Sequence, residues 1–146
     1  MAAVVRKDPY LSFRFIIEID GIVNGGFAEC SGLQVETETE DYREGGLNEY
    51  THKLSKGTKY QNIILKRGIT DSDALWQWHQ DVTAGKIKGA RRSVSIILMD
   101  EEQNEKWRWL VEKAYPVKWA GPALKSDSST IAFETLELVH TGIRKI

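Results

Sequence analysis

Cysteine is nearly absent: Cys30 is the only one in 146 residues. One cysteine cannot form an intramolecular disulfide, and no Cys/His spacing around it matches a zinc site. The expectation is a buried structural thiol in a protein made in a reducing compartment. Neither sign of charge is in excess. Lys and Arg number 20 against 21 Asp and Glu, and a net charge of −1 gives no overall pull toward nucleic acid or an anionic membrane. No apolar run approaches the roughly 20 residues that cross a bilayer. The first residues, MAAVVRKDPY, have no apolar core of a secretory signal. The expectation is synthesis in a cytoplasm, with no direct membrane anchor.

Catalytic and nucleotide motifs are also missing. Gly25-Gly26 and Gly45-Gly46 belong to neither a GxGxxG nor a GxxxxGK[ST] frame, so bends and bulges explain them better than phosphate binding. His52, His79 and His140 are far apart and fall in no HExxH-like frame. His79 sits beside Trp78 on the apolar side of a helix and reads as a packed histidine. Ser31 lacks the GxSxG elbow, and Ser126, Ser128 and Ser129 read as loop residues. No linker, repeat or low-complexity segment interrupts the chain. Residues 1–146 therefore read as one domain, with an arm over 1–10 and a tail over 141–146. A chain of this length buries roughly 68–70% of its unfolded surface and needs no metal or disulfide.

What is present is alternation. In SFRFIIEID, Phe13, Phe15, Ile17 and Ile19 point one way while Arg14, Glu18 and Asp20 point the other. Asp20-Gly21 supplies a turn, and IVNGGFAEC reads as the returning strand. LQVETETE, LNEYTHKL, YQNIILKR, SVSIILM, KWRWLVEK and IAFETLELVH continue the period of two. AYPVKWAG reads as a separate strand, at an edge or bent, because Pro116 has no N–H for a ladder. Only ITDSDALWQWHQDVTAGK changes period. Thr70 and Asp73 suggest a capping box, Leu75, Trp78, His79 and Val82 follow at helical spacing, and Gly85 ends the run. The predicted fold is mainly β, a small barrel or sandwich of about seven to eight strands with one packed helix.

Two features stand out. In VETETED, Glu36, Glu38 and Glu40 share one strand face at about 7 Å spacing. That spacing permits a carboxylate pair for glycoside hydrolysis. Calcium sites, however, are usually built in loops from Asp, Asn and carbonyls, and a solvated or assembly face gives the same row without chemistry. No catalytic, cofactor or metal residue is assigned. The second feature is tryptophan. Trp76 and Trp78 are too close in a helix to face the same way, whereas Trp107 and Trp109 share a strand face near Trp119. They read as core, or as aromatic area that another subunit completes.

Several stretches together resemble a known family: DPYLSFRFIIEIDG, FAECSGLQVETETEDYREGG, YQNIILKRGITDSDALWQWHQD and AYPVKWAGPALKSDSSTIAFETLELVH. Their order and spacing look like the inner tube proteins of contractile phage tails and extracellular contractile injection systems, over about Asp8 to His140. The resemblance implies a tail-tube-like barrel with one helix, similar to the haemolysin-coregulated protein of type VI secretion. It implies a structural role without enzymatic activity, in hexameric rings stacked into a hollow tube that a contracting sheath drives into a target. Implied partners are further copies of the chain, the sheath protein, baseplate or tube-initiator and spike proteins, and an effector protein or DNA as cargo. Implied location is a phage-tail-like particle, virion or extracellular injection system assembled after synthesis in a bacterial cytoplasm. A tube-initiator or baseplate paralogue is the nearest alternative; a monomeric carbohydrate- or metal-binding β-module is a more distant one. On this reading Glu36, Glu38 and Glu40 line the lumen or a subunit boundary. The segment carrying Arg43, Glu44, Gly45, Gly46, Asn48, Lys53 and Lys56 is expected to form an extended hairpin that reaches a neighbouring ring.

Overall fold

A computed structural model describes residues 8–42 and 52–146. Strands dominate it: β1 (Phe15–Ile19), β2 (Val23–Gly25), β3 (Glu29–Ser31), β4 (Val35–Tyr42), β5 (His52–Tyr60), β6 (Ile63–Gly68), β7 (Arg92–Met99), β8 (Glu105–Ala120), β9 (Phe133–Val139) and β10 (Gly142–Lys145). Two helices, α1 (Ala74–Thr83) and α2 (Ile87–Ala90), lie between β6 and β7. The mainly β expectation holds, with ten strands rather than seven to eight among the described residues and a second, short helix.

The sheet runs in the order β2-β1-β7-β8-β9-β6-β3, and β10 also pairs with β8. All the pairings are antiparallel. The sheet turns on β8. This strand of 16 residues replaces the two separate strands read from KWRWLVEK and AYPVKWAG. Its first half pairs with β7 and β10, and its second half with β9. Two of its three register slips lie near its middle, and the other is opposite Leu98 and Met99. Between Arg92 and Val94 the β7 register slips, and on the β8 side Lys113 takes φ 51°, the left-handed conformation that a bulge usually gives to glycine. A second slip lies between Pro116 and Lys118. Pro116 therefore sits in a bent central strand, at a bulge that tolerates its missing N–H, rather than at an edge.

Other boundaries also differ from the reading of the sequence. IVNGGFAEC splits into β2, which pairs with β1, and β3, which crosses to β6. The basic tail GIRKI contains β10, held in register Ile143↔Val111.

The two layers enclose one core. Ile17, Ile19, Val94, Ile96 and Val111 face Ile63, Leu65, Leu136 and Leu138, with Leu75 and Trp78 of α1 in the same cluster. Each such aliphatic side chain contributes about 1.5–3 kcal/mol on burial. α1 packs on β8. Trp78 donates its indole N–H to the carbonyl of Ala90 at 2.6 Å and so ties α2 to α1.

The helix begins and ends by different devices. No capping box forms. Thr70 Oγ1 accepts from the Ser72 amide, Ser72 Oγ from the Ala74 amide, and Asp73 binds the Gln77 side chain. At the other end Gly85 has φ 84°, its N–H reaches Val82 O, and the Lys86 N–H reaches Asp81 O. That pair of bonds is a Schellman motif, as the glycine suggested. Gly32, in the SGL stretch, is needed for closeness: a Cβ there would lie 2.0 Å from the Asn62 carbonyl oxygen. Its φ of 95° is also one that other residues resist.

Candidate assembly surfaces

β4 and β5 form a two-stranded sheet of their own. The pairing runs Val35↔Tyr60, Glu36↔Lys59, Thr37↔Thr58 and Glu38↔Gly57, then, past a slip at Lys56, Thr39↔Ser55, Glu40↔Leu54 and Asp41↔Lys53. Residues paired across strands share a face. One face therefore carries Glu36, Glu38, Glu40, Lys59 and Leu54; the other carries Thr37, Thr58, Thr39, Ser55, Asp41 and Lys53. Residues 35–41 and 53–59 are exposed on both faces. An isolated two-stranded ribbon is marginal in water, so this one calls for something to pack against.

The predicted acidic row thus exists as a row, but on a projecting ribbon rather than on the wet side of the main sheet. Asp41 and Lys53 pair at 2.8 Å. Glu36, Glu38 and Glu40 take part in none of the ion pairs among the described residues. No group of three His, Cys, Asp or Glu among the described residues is placed to hold a metal ion. Of the residues expected in a ring-stacking hairpin, Lys53 and Lys56 lie on β5. Arg43, Glu44, Gly45, Gly46 and Asn48 lie outside the described residues.

The root of the ribbon is pinned. The Gln61 amide donates to Gln34 O at 3.5 Å, His140 Nε2 bonds Gln61 O at 2.8 Å, and the imidazole meets the Tyr60 ring edge-on at 5.6 Å. His79 is half-buried on α1. Neither histidine faces a serine or cysteine nucleophile in a hydrogen bond among the described residues.

A second feature went unnoticed in the sequence. Arg67 on β6 and Glu134 on β9 are cross-strand partners, both buried, with Nη2 and Oε2 3.6 Å apart. Trp119 donates its indole N–H to Glu134 Oε1 at 3.1 Å and stacks edge-on against Trp76 at 4.8 Å. Parity could have revealed the pair. Arg67 follows Ile63 and Leu65 on the inward side of its strand, and Glu134 precedes Leu136 and Leu138 on its own. The tryptophans divide as expected: Trp78 is in the core and Trp76 is exposed. Trp107 and Trp109 lie together with ring centres 5.5 Å apart, and Trp107 stays exposed. Cys30 is half-buried, and burial pushes its thiol up to about 11, which keeps it protonated at neutral pH.

Comparison with solved structures places this architecture. The baseplate of the anti-feeding prophage, solved with six-fold symmetry, contains a chain 25% identical to this one, with TM-score 0.84 over 97% of both chains. The sheath-tube complex of the extracellular contractile injection system PVC contains one 22% identical, with TM-score 0.84 over 94% of this chain and 91% of that one. Hcp1 from Flavobacterium johnsoniae is more distant, at 16% identity and TM-score 0.56 over 91% of this chain and 94% of its own. No curated protein sequence matches the chain. The family model described as T4-like virus tail tube protein gp19 matches residues 11–144, and the chain belongs to that family of contractile tail tube proteins.

Proposed function

We propose that the chain is the repeating subunit of the inner tube of a contractile injection particle, assembled as hexameric rings stacked into a hollow conduit. One observation carries the assembly reading: the β4–β5 ribbon is exposed on both faces and forms its own sheet. Such a ribbon gains stability by packing on a neighbouring copy. Its two faces suit different surroundings. Burying three carboxylates that have no ion-pair partner among the described residues is costly, whereas the other face offers the hydroxyls of Thr37, Thr58, Thr39 and Ser55, which a neighbour can hydrogen-bond, and charges already paired between Asp41 and Lys53. The hydroxyl face meets the neighbour, and Glu36, Glu38 and Glu40 look into the lumen, where a ring repeats them as a negative band. The sheath protein surrounds the tube, baseplate and spike proteins meet its end, and cargo fills the lumen.

A paralogue at the tube end is the second reading. It is favoured by likeness to chains in the anti-feeding prophage baseplate and in its tube-terminating cap, the latter with TM-score 0.88 at 22% identity. Negative-stain microscopy of the purified protein tests the first reading. Rings or tubes are expected, and a protein that stays monomeric at high concentration overturns it. In native particles, counting copies separates a main tube subunit from an end protein.

A further inference from the structure

The β4–β5 ribbon joins the rest of the molecule through two short crossings. Residues 32–34 lead into it from β3, and residues 61 and 62 lead from it into β6. Neither ribbon strand pairs with the main sheet. The crossings hold each other: the Gln34 amide donates to Gly32 O at 2.7 Å, and the Gln61 amide donates to Gln34 O at 3.5 Å. Bonds between the two crossings keep them together, but they leave open the angle at which the ribbon stands on the body.

Among the described residues, the side-chain hydrogen bonds that reach the second crossing come from β9 and the turn after it. Asn62 donates its side-chain amide to Glu137 Oε2 at 3.1 Å, and His140 Nε2 bonds Gln61 O at 2.8 Å. Gly142, the first residue of β10, runs beside the Tyr60 ring, which a Cβ there would meet at 3.7 Å. Packing is looser at the first crossing. Leu33, Gln34 and Val35 face Trp109, Ile143 and Lys145 across a hollow of about 210 Å³.

His140 has a single polar contact here. A carbonyl oxygen only accepts, so Nε2 carries the proton and donates it to Gln61 O. Nδ1 is buried and has no hydrogen-bond partner among the described residues. The ring therefore directs its one N–H at the backbone between β5 and β6.

We propose that His140 is the positioning residue of the ribbon: its N–H on Gln61 O fixes the angle of the ribbon on the body, so that the ribbon meets a neighbouring copy already ordered. A ribbon held in place loses less freedom on docking, which lowers the cost of association. The same bond ties the ribbon to the tail, because β10 starts two residues after His140. The statement about the neighbour rests on the tube reading; the statement about the angle does not.

Two variants separate the hydrogen bond from the bulk of the ring. His140→Phe keeps an aromatic ring beside Tyr60 and removes the donor. His140→Gln keeps an N–H donor and removes the ring. In a Cys30→Ser background, spin labels on Ser55→Cys in the ribbon and Asp81→Cys on α1 report the ribbon-to-body distance in dilute protein. A narrow distribution is expected with His140 and with Gln, and one at least twofold broader with Phe. A broad distribution with His140 itself overturns the proposal without any change at that position. So does a narrow one with Phe, or a failure of Gln to restore it, which would give the role to ring packing. Hydrogen exchange in β6 and β9 is the control: a rise there as large as at Gln61 would make His140 a support of the whole fold and overturn the positioning role.

The concentration needed for assembly should rise about tenfold with Phe and return with Gln. Unchanged assembly with a broadened distribution would overturn the statement about the neighbour. Monomers of the unsubstituted protein at all concentrations would remove the tube reading and leave the distance measurement standing.

Discussion

Arg67 and Glu134 face each other across β6 and β9 with side chains 9% and 4% exposed and charged atoms 3.6 Å apart. The pair continues the inward row that Ile63, Leu65, Leu136 and Leu138 occupy. Arg67 Nε and Nη2 have no hydrogen-bond partner among the described residues, and the guanidinium lies 5.6 Å from the centre of the Phe27 ring. Such a pair is weak evidence of stability and strong evidence of dependence, because losing one member strands the other.

Glu134→Leu should destabilise the fold by about 3–5 kcal/mol, since it leaves a buried guanidinium unpaired and removes the acceptor of Trp119. Arg67→Met combined with Glu134→Gln keeps an acceptor for the indole and should recover most of that loss. Urea denaturation of the three proteins checks this; a double variant no more stable than Glu134→Leu would show that the charges are not coupled.

Gly32→Ala should cost more than a surface glycine substitution. The added methyl meets the Asn62 carbonyl oxygen at 2.0 Å in a backbone conformation with φ 95°. A loss of about 2 kcal/mol or more is expected. Gly89, around whose Cβ position nothing lies within 4 Å, is the control and should gain or stay level as alanine.

Lys113→Gly should act in the opposite sense. Lys113 holds φ 51° where β8 bends, and glycine relieves about 1 kcal/mol of backbone strain there, less what it gains in unfolded-state entropy. A rise in the thermal midpoint supports this origin for the bend; a fall would assign the position to a side-chain role.

The ribbon faces separate by charge reversal. On the proposed orientation, with the carboxylate face toward the lumen, Glu36→Lys with Glu38→Lys should leave assembly intact and increase retention of anionic cargo. Thr37→Lys with Thr58→Lys, on the opposite face of the same strands, should raise the concentration needed for assembly about tenfold. Sedimentation and microscopy read both, and the reverse pattern would exchange the two faces.

Cys30 offers a pH test. Its thiol is pushed up from 9.0 to about 11 by burial, so the folded protein at pH 8 should react with iodoacetamide about a hundredfold more slowly than the unfolded chain. A folded value above the unfolded one means the neutral form is favoured. The stability it contributes is present below pH 9 and is lost as pH rises through about 11. Equal alkylation rates in folded and unfolded protein would contradict this.

Local chemistry made much of this fold readable. Period-two alternation in SFRFIIEID and IAFETLELVH placed Ile17, Ile19, Leu136 and Leu138 in the core, because a strand has only two faces. Leu75 and Trp78 at helical spacing, closed by a glycine with positive φ, placed α1. Glu36, Glu38 and Glu40 were legible as a row for the same reason. The tertiary structure decided whatever depends on pairing over distance. It joined two apparent strands into β8, because bulges let a strand bend where a local signal reads a break. It split one apparent hairpin between two neighbours and gave the tail to β8. It lifted the acidic row off the main sheet onto a ribbon with its own partner. It also brought Arg67 opposite Glu134. Burial and register are properties of residues far apart in the chain, so alternation can say which side a residue faces but not what covers that side.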